Sequence, residues 1–145
     1  MRNRLLALAG LLAVCLFAAA QQNQASRTLK VKLNYTGAGK VDQNHKVFVF
    51  LFDSPDFVSG GVMPFATQTA SAKDETVTFG AISAPEVYAV AAYDPSGGYD
   101  GASGPPPSGS SLGIYAKEGK PEPVRIEAGK TAQIDLPFDD SFKMQ

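Results

Sequence analysis

Pairs of aspartates are the residues of this 145-residue chain whose type and spacing come nearest to catalysis. Asp53 and Asp56 share one loop, and Asp139 is followed directly by Asp140. Two facing carboxylates can hydrolyse a glycosidic bond when a cleft holds the sugar between them. The sequence around neither pair predicts such a cleft, so we interpret these residues as solvated turn formers. A small carboxylate-dependent hydrolase is kept as an alternative.

The single histidine, His45, restricts other chemistry. It lies in the polar segment at residues 41–46, where a solvated side chain is expected. One histidine cannot form a histidine metal cluster, and no cysteine after Cys15 could complete a zinc site. The chain has no G-x-S-x-G turn for a nucleophilic serine and no phosphate-binding loop. The sequence therefore predicts no catalytic residue and no enzyme.

Two long loops carry the side chains best suited to binding a partner. Residues 58–73 contain apolar side chains within a polar stretch, and residues 103–111 are rich in proline, serine and glycine. Binding residues concentrate on loops that a rigid frame holds in place. We predict a set of ligand-binding residues: Phe57, Met63, Phe65 and Tyr99. The alternative is that Met63 and Phe65 fold back and cap the core.

Seven short segments are predicted to be the strands that position these loops. Residues 46–52 are apolar on both faces, which is typical of a central strand covered on each side. The other six alternate or are short and apolar, and no helical period follows residue 21. The predicted strands are residues 29–36, 46–52, 75–79, 87–93, 112–116, 124–127 and 132–139. This pattern predicts an all-β, seven-stranded antiparallel β-sandwich at residues 28–139, followed by a C-terminal tail at residues 140–145.

The last two predicted strands are joined by the short link Ala128-Gly129-Lys130. A glycine-containing link between two alternating runs is typical of a hairpin, so these strands are predicted to pair with each other. Pro137 lacks a backbone N–H, and we expect it at a position where the strand faces solvent.

The first twenty residues have the three parts of a secretory signal peptide. Arg2 and Arg4 precede an uncharged apolar run, and Ala18-Ala19-Ala20 supplies the small residues of a cleavage site. The apolar run is short for a membrane span, and an uncleaved anchor is the alternative. We predict cleavage after Ala20, a flexible leader at residues 21–27, and a periplasmic or extracellular location without a membrane span in the mature chain.

Cys15 raises an alternative processing of the N-terminus, lipidation in place of cleavage after Ala20. Leu12-Ala13-Val14-Cys15 is similar to a bacterial lipobox, in which the cysteine is lipidated and anchors the protein. Two features count against this lipid-anchored form: Val14 is bulky, and the apolar run continues past Cys15.

The charge of the chain gives no basis for nucleic-acid binding. Its 13 basic and 14 acidic residues are interspersed without a basic patch, so nucleic-acid binding has no electrostatic basis.

Three segments resemble carboxypeptidase regulatory-like domains, which belong with the transthyretin-like (prealbumin-like) β-sandwiches of exported bacterial proteins. They are residues 47–53 (VFVFLFD), 87–94 (VYAVAAYD) and 124–136 (VRIEAGKTAQIDL). The resemblance spans residues 28–138 and implies a non-catalytic accessory or surface module. The ureide hydrolases among transthyretin-like proteins need more than one histidine and a distinctive C-terminal motif, which this chain lacks.

Members of this family often carry an acidic, calcium-like loop after the fourth strand. The equivalent here is residues 94–101, and the resemblance implies Asp94, Ser96 and Asp100 as candidate calcium ligands. Calcium takes six to eight oxygen ligands, and this loop lacks the intermediate Asp or Asn positions of the family pattern. Aspartates that form a glycine-rich turn are the alternative interpretation.

These observations together predict an exported, non-catalytic β-sandwich module that binds a protein or glycan partner in the cell envelope or outside the cell. A calcium-stabilised structural module is the alternative, with no other cofactor expected.

Overall fold

Ten strands and one short 3₁₀ helix make up the structure, a computed structural model that describes residues 25–145. The strands are β1 (Arg27–Tyr35), β2 (Val47–Phe52), β3 (Ala66–Ala70), β4 (Thr76–Ile82), β5 (Glu86–Tyr93), β6 (Ser111–Ile114), β7 (Ala116–Lys117), β8 (Lys120–Pro121), β9 (Val124–Arg125) and β10 (Thr131–Phe138). The 3₁₀ helix spans Pro55–Ser59. The predicted all-β class is confirmed. The predicted signal peptide, its cleavage after Ala20, Cys15 and most of the predicted leader lie outside the described residues.

Two sheets pack against each other as a β-sandwich. One sheet has the order β10-β1-β4, and the other has the order β3-β2-β5-β6, with β9 also paired to β5. Strands β7 and β8 form a separate two-stranded ribbon. The larger of two buried apolar clusters takes side chains from both sheets, which is the defining feature of a sandwich. No helix within residues 25–145 is long and apolar enough to cross a membrane.

The alternating segments face the core as their period predicts. Four side chains of β1 are buried in it: Leu29, Val31, Leu33 and Tyr35. All six residues of β2 are buried, because the strand lies between β3 and β5 and both of its faces are covered. Its valines and leucine enter the core, and its three phenylalanines enter a second apolar cluster on the outer face of the sheet.

The predicted hairpin between the last two strands is wrong. Strand β9 pairs with β5, whereas β10 crosses to the other sheet and pairs with β1 in parallel, from Thr28 opposite Thr131 to Tyr35 opposite Phe138. The sandwich is therefore not wholly antiparallel. The link at Gly129 (φ 73°) turns the chain between sheets rather than within one sheet. A period of two identifies a half-buried strand but does not identify its partner.

Strand β3 lies inside the segment that was predicted to be a long loop, and it is one reason for ten strands instead of seven. Its sequence, Ala-Thr-Gln-Thr-Ala, has no large apolar residue, so it lacks the alternation that marks a strand. It forms because β2 offers a free edge, along which Val47 pairs with Ala70 and Leu51 with Ala66. Strands β7 and β8 are only two residues long, and β1 begins one position inside the predicted leader, at Arg27.

The C-terminal residues 140–145 continue the hydrogen bonding of the sandwich. The N–H of Leu112 donates to the carbonyl of Phe142 at 2.9 Å, and the N–H of Met144 donates to the carbonyl of Ser110 at 2.8 Å. This tail therefore covers the free edge of β6. At the other sheet, β10 is an edge strand, and Pro137 lies there as expected.

Candidate functional site

The outer face of the larger sheet carries a row of aromatic side chains along β2. Phe57 stacks on Phe52 with ring centroids 4.7 Å apart, and Tyr99 meets Phe48 edge-on at 5.0 Å. Two of the predicted binding residues, Phe57 and Tyr99, therefore lie at opposite ends of β2 and cover the sheet. The Tyr99 hydroxyl also donates to the carbonyl of Gly104 at 2.7 Å, which fixes the ring.

The β2–β3 loop, defined as residues 53–65, presents apolar side chains to solvent. Val58 is 65 % exposed, Met63 69 % and Phe65 47 %, so Met63 and Phe65 do not fold back to cap the core. Val58 was not among the residues predicted for binding, although it lies next to Phe57. The structure therefore places three large apolar side chains on one loop at one end of the sandwich.

The 3₁₀ helix determines the orientation of Phe57 and Val58 at the start of this loop. The Ser54 hydroxyl accepts the N–H of Asp56 at 3.1 Å and caps the helix, and Gly60 ends it in the left-handed conformation with φ 79°. This short turn presses Phe57 against the sheet and leaves Val58 exposed. Val58 is thus held outward by a capped turn, whereas Met63 and Phe65 lie in the irregular segment between this turn and β3.

Asp94, a predicted calcium ligand, closes its own turn. It is 5 % exposed, and its carboxylate accepts the N–H groups of Ser96 (2.8 Å), Gly98 (3.1 Å) and Tyr99 (3.0 Å), as well as the Ser96 hydroxyl (2.7 Å). Burial raises the pKa of Asp94, but the hydrogen bonds from Ser96, Tyr99 and Gly98 outweigh it and hold the pKa below its usual value. These donors occupy the lone pairs that a cation would need.

Asp100, the second predicted calcium ligand, closes a different turn. Its carboxylate accepts the N–H groups of Ala102 at 2.9 Å and Ser103 at 2.8 Å. The Ser103 hydroxyl, with these two N–H groups, lowers the pKa of Asp100 to about 2. Within residues 25–145, no three His, Cys, Asp or Glu side chains are grouped as metal ligands. The geometry therefore favours the turn-forming interpretation of Asp94 and Asp100.

We expect the melting temperature of the protein to be the same in a chelator and in excess calcium. Calcium would have to displace the backbone donors that already satisfy Asp94 and Asp100, and no further carboxylate in the described chain joins them. Calorimetry in the two buffers measures this. Binding at a hundred times the dissociation constant would add about 2.7 kcal/mol. A rise of several degrees in calcium that Asp100→Asn removes would contradict the expectation.

A small cleft of about 310 Å³ opens between residues 41–46 and the loop that begins at Asp94. Phe48 and Tyr99 line it, together with polar side chains. The polar lining residues are Gln43, Asn44, Lys46, Thr69, Asp94 and Asp100. A cleft lined by both aromatic and polar side chains can hold a small polar ligand such as a sugar unit.

His45 lies next to Gly97 and is half-buried rather than freely solvated. Its Nδ1 lies 3.1 Å from Oδ1 of Asp42, and the same oxygen accepts the N–H groups of Asn44 and His45. The Asn44 backbone N–H, the His45 ring and Lys40 hold the pKa of Asp42 well below its usual range. Asp42 and His45 thus stabilise the conformation of this loop through local hydrogen bonds.

Sequence reasoning missed the polar cluster around Asp140. Its carboxylate accepts the buried Tyr35 hydroxyl at 2.6 Å, the Ser111 hydroxyl at 2.6 Å and the N–H of Ala38 at 2.8 Å. These bonds lower the pKa of Asp140 to about 2, while burial and then the Asp140 bond raise the pKa of Tyr35 to about 12. Nothing in the sequence near Asp140 indicates these partners, because Tyr35 is 105 positions away.

The aspartate pairs considered for glycoside hydrolysis have other roles in the structure. The carboxylate of Asp140 belongs to the cluster just described. Asp139 is exposed and accepts the N–H of Ser141. Asp56 accepts the Ser54 hydroxyl at the start of the 3₁₀ helix, and Asp53 is exposed. Asp56, Asp139 and Asp140 thus serve local hydrogen bonding.

No protein-family model, curated protein or solved structure matches this chain. The resemblance to carboxypeptidase regulatory-like domains therefore stays a prediction from the sequence, and the fold rests on the strands themselves.

Proposed function

We propose that this chain is an exported, non-catalytic β-sandwich module that binds a protein partner through its β2–β3 loop. The observation that carries the proposal is the exposure of Val58, Met63 and Phe65 on one loop. Large apolar side chains that stay in water forgo about 1.5–3 kcal/mol each of burial free energy. Large apolar side chains exposed together on one loop favour a protein interaction site.

The charges of this region favour a partner surface with basic residues around an apolar centre. Asp53 and Asp56 are the only charged residues between Lys46 and Lys73, and both are exposed. Opposite charges at the rim of an interface steer association and orient the partners.

The hydrogen bonding of the aspartates supports a role without catalysis. Asp42, Asp94, Asp100 and Asp140 each accept at least one backbone N–H, and the pKa of each lies below its usual value. Carboxylates held in this way stay ionised at neutral pH and stabilise loops. A general acid needs the opposite, a raised pKa near the working pH.

The sequence supports export and an accessory role. The N-terminal charge and hydropathy pattern is that of a secretory signal peptide, and the resemblance to carboxypeptidase regulatory-like domains implies an accessory module.

A glycan partner is a second candidate, and the cleft beside Tyr99 favours it. Phe48 and Tyr99 could pack against a sugar ring while Asn44 and Thr69 bond its hydroxyls. Calorimetric titration with envelope oligosaccharides, compared between the wild type and Asn44→Ala, distinguishes this candidate from a protein partner.

Replacing Met63 and Phe65 together by serine is expected to reduce capture of the partner at least about tenfold, because apolar anchors of this kind contribute about 1–2 kcal/mol each to a protein interface. The measurement is quantitative mass spectrometry of proteins captured from an envelope extract of the organism that encodes the chain. Lys30→Ser with Lys32→Ser, on the exposed face of the other sheet, is the matched control. Equal capture by both double variants would overturn the proposal.

A further inference from the structure

The outer edge of β3 is open in the described part of the chain. Strand β3 is the last strand of its sheet and pairs only with β2. Thr67, Gln68 and Thr69 are exposed along it, whereas Ala70 at its end is buried. An edge strand presents unpaired backbone N–H and C=O groups, which are a template for a further strand.

The other three edges of the two sandwich sheets, within residues 25–145, carry features that oppose strand addition. Strand β4 has an irregular pairing with β1 and holds Ala81 in the left-handed conformation with φ 54°. Strand β10 contains Pro137, and the C-terminal tail covers β6 through the bond from Leu112 to Phe142. Proteins commonly protect edges with bulges, prolines or covering segments. Strand β3 has no bulge, proline or charge, so its edge lacks these protecting features.

The sequence of β3 is a palindrome, Ala-Thr-Gln-Thr-Ala. If two copies pair antiparallel about Gln68, Ala66 lies opposite Ala70 and Thr67 lies opposite Thr69. Cross-strand threonine pairs are favourable, and no like charges meet. The same register places Phe65 of one copy opposite Ser71 of the other, just beyond the paired strands. A partner strand of any other sequence would not be matched to β3 by symmetry in this way.

We propose that β3 is the interface of a two-fold symmetric dimer, in which a second copy of this chain adds its own β3 antiparallel to the first and centres on Gln68. A two-fold axis uses the same patch on both copies, so a self-complementary strand satisfies both sides at once. The dimer joins the two larger sheets into one continuous sheet. It also places two β2–β3 loops on one particle, so a partner with repeated sites would be bound bivalently.

Sedimentation velocity of the purified protein over a wide concentration range tests this dimer. The wild type is expected to convert from monomer to dimer as its concentration rises. Gln68→Lys and Gln68→Glu are each expected to weaken dimerisation about tenfold, because like charges would meet at the axis. An equimolar mixture of the two variants is expected to restore the dimer, since opposite charges then face each other.

Two results would overturn the dimer. One is a protein that stays monomeric at every concentration, and the other is a dimer that both Gln68 variants leave intact. Dimer formation in the mixture shows that loss of the dimer in each variant is not caused by misfolding, because an unfolded variant could not dimerise on mixing. Capture of a partner by the β2–β3 loop is measured separately, so failure of the dimer and failure of the proposed function are distinguishable.

Discussion

Replacing Asp140 by alanine is expected to lower the free energy of unfolding by about 3 kcal/mol. The substitution removes the acceptor of three hydrogen bonds and leaves the hydroxyl of Tyr35, a residue only 2 % exposed, without its partner. A buried polar group left unsatisfied costs about 1–3 kcal/mol, and bonds to a charged acceptor are stronger than neutral ones. Chemical denaturation measures the change. Asp139→Ala, at the exposed neighbouring position, is the matched control; it loses one exposed hydrogen bond and is expected to change stability by at most about 1 kcal/mol.

The pH dependence of the same variant separates a hydrogen-bonded carboxylate from a loss of packing. The pKa of Asp140 is about 2 in the folded protein, below the usual value of 3.8. Its stabilising effect is therefore fully present above the usual pKa and is lost as the pH falls toward the folded value. The stability difference between wild type and Asp140→Ala should shrink between about pH 4 and pH 2. A difference that stays constant over that range would contradict the assignment.

Replacing Gly97 by alanine is expected to destabilise the protein by about 2–3 kcal/mol. Gly97 has φ 73°, a conformation that costs an L-residue with a side chain about 1–2 kcal/mol. A Cβ there would also lie 2.7 Å from the carbonyl oxygen of Asn44 and 2.9 Å from the ring of His45, so the two loops around the cleft would have to separate.

Gly98→Ala is the matched control, because the position has no positive φ and the nearest atom to a new Cβ would be the Ser96 hydroxyl at 3.7 Å. Denaturant unfolding of both variants gives the comparison. Equal stability of Gly97→Ala and Gly98→Ala would show that the close approach of the two loops does not matter.

The strands that the sequence predicts well are those whose burial follows from their own residues. In β1, four apolar side chains alternate with polar ones, and in β2 six consecutive apolar residues can only lie between two covered faces. Strand β3 differs, because its alanines and threonines fit a loop as well as a strand, and only the free edge of β2 decides the outcome. The partner of β10 was missed for a similar reason, since alternation says nothing about which sheet a strand joins.

The candidate site was predictable in position but not in orientation. The apolar content of residues 58–73 marks the region, and Met63 and Phe65 are indeed exposed. Whether Phe57 or Val58 points to the sheet depends on the 3₁₀ turn capped by Ser54, which packs Phe57 against the sheet and leaves Val58 in water. The Asp140 cluster could not be predicted from the sequence, because its members are brought together only by the pairing of distant strands.

Photocrosslinking from position 63, in the organism that encodes the chain, tests most directly whether the β2–β3 loop contacts a protein partner. A photoreactive amino acid replaces Met63, which is 69 % exposed, and in the control it replaces Lys30 on the other sheet. A discrete adduct with another protein is expected from position 63 and not from position 30. The same adducts from both positions, or none from position 63, would contradict a binding role for this loop.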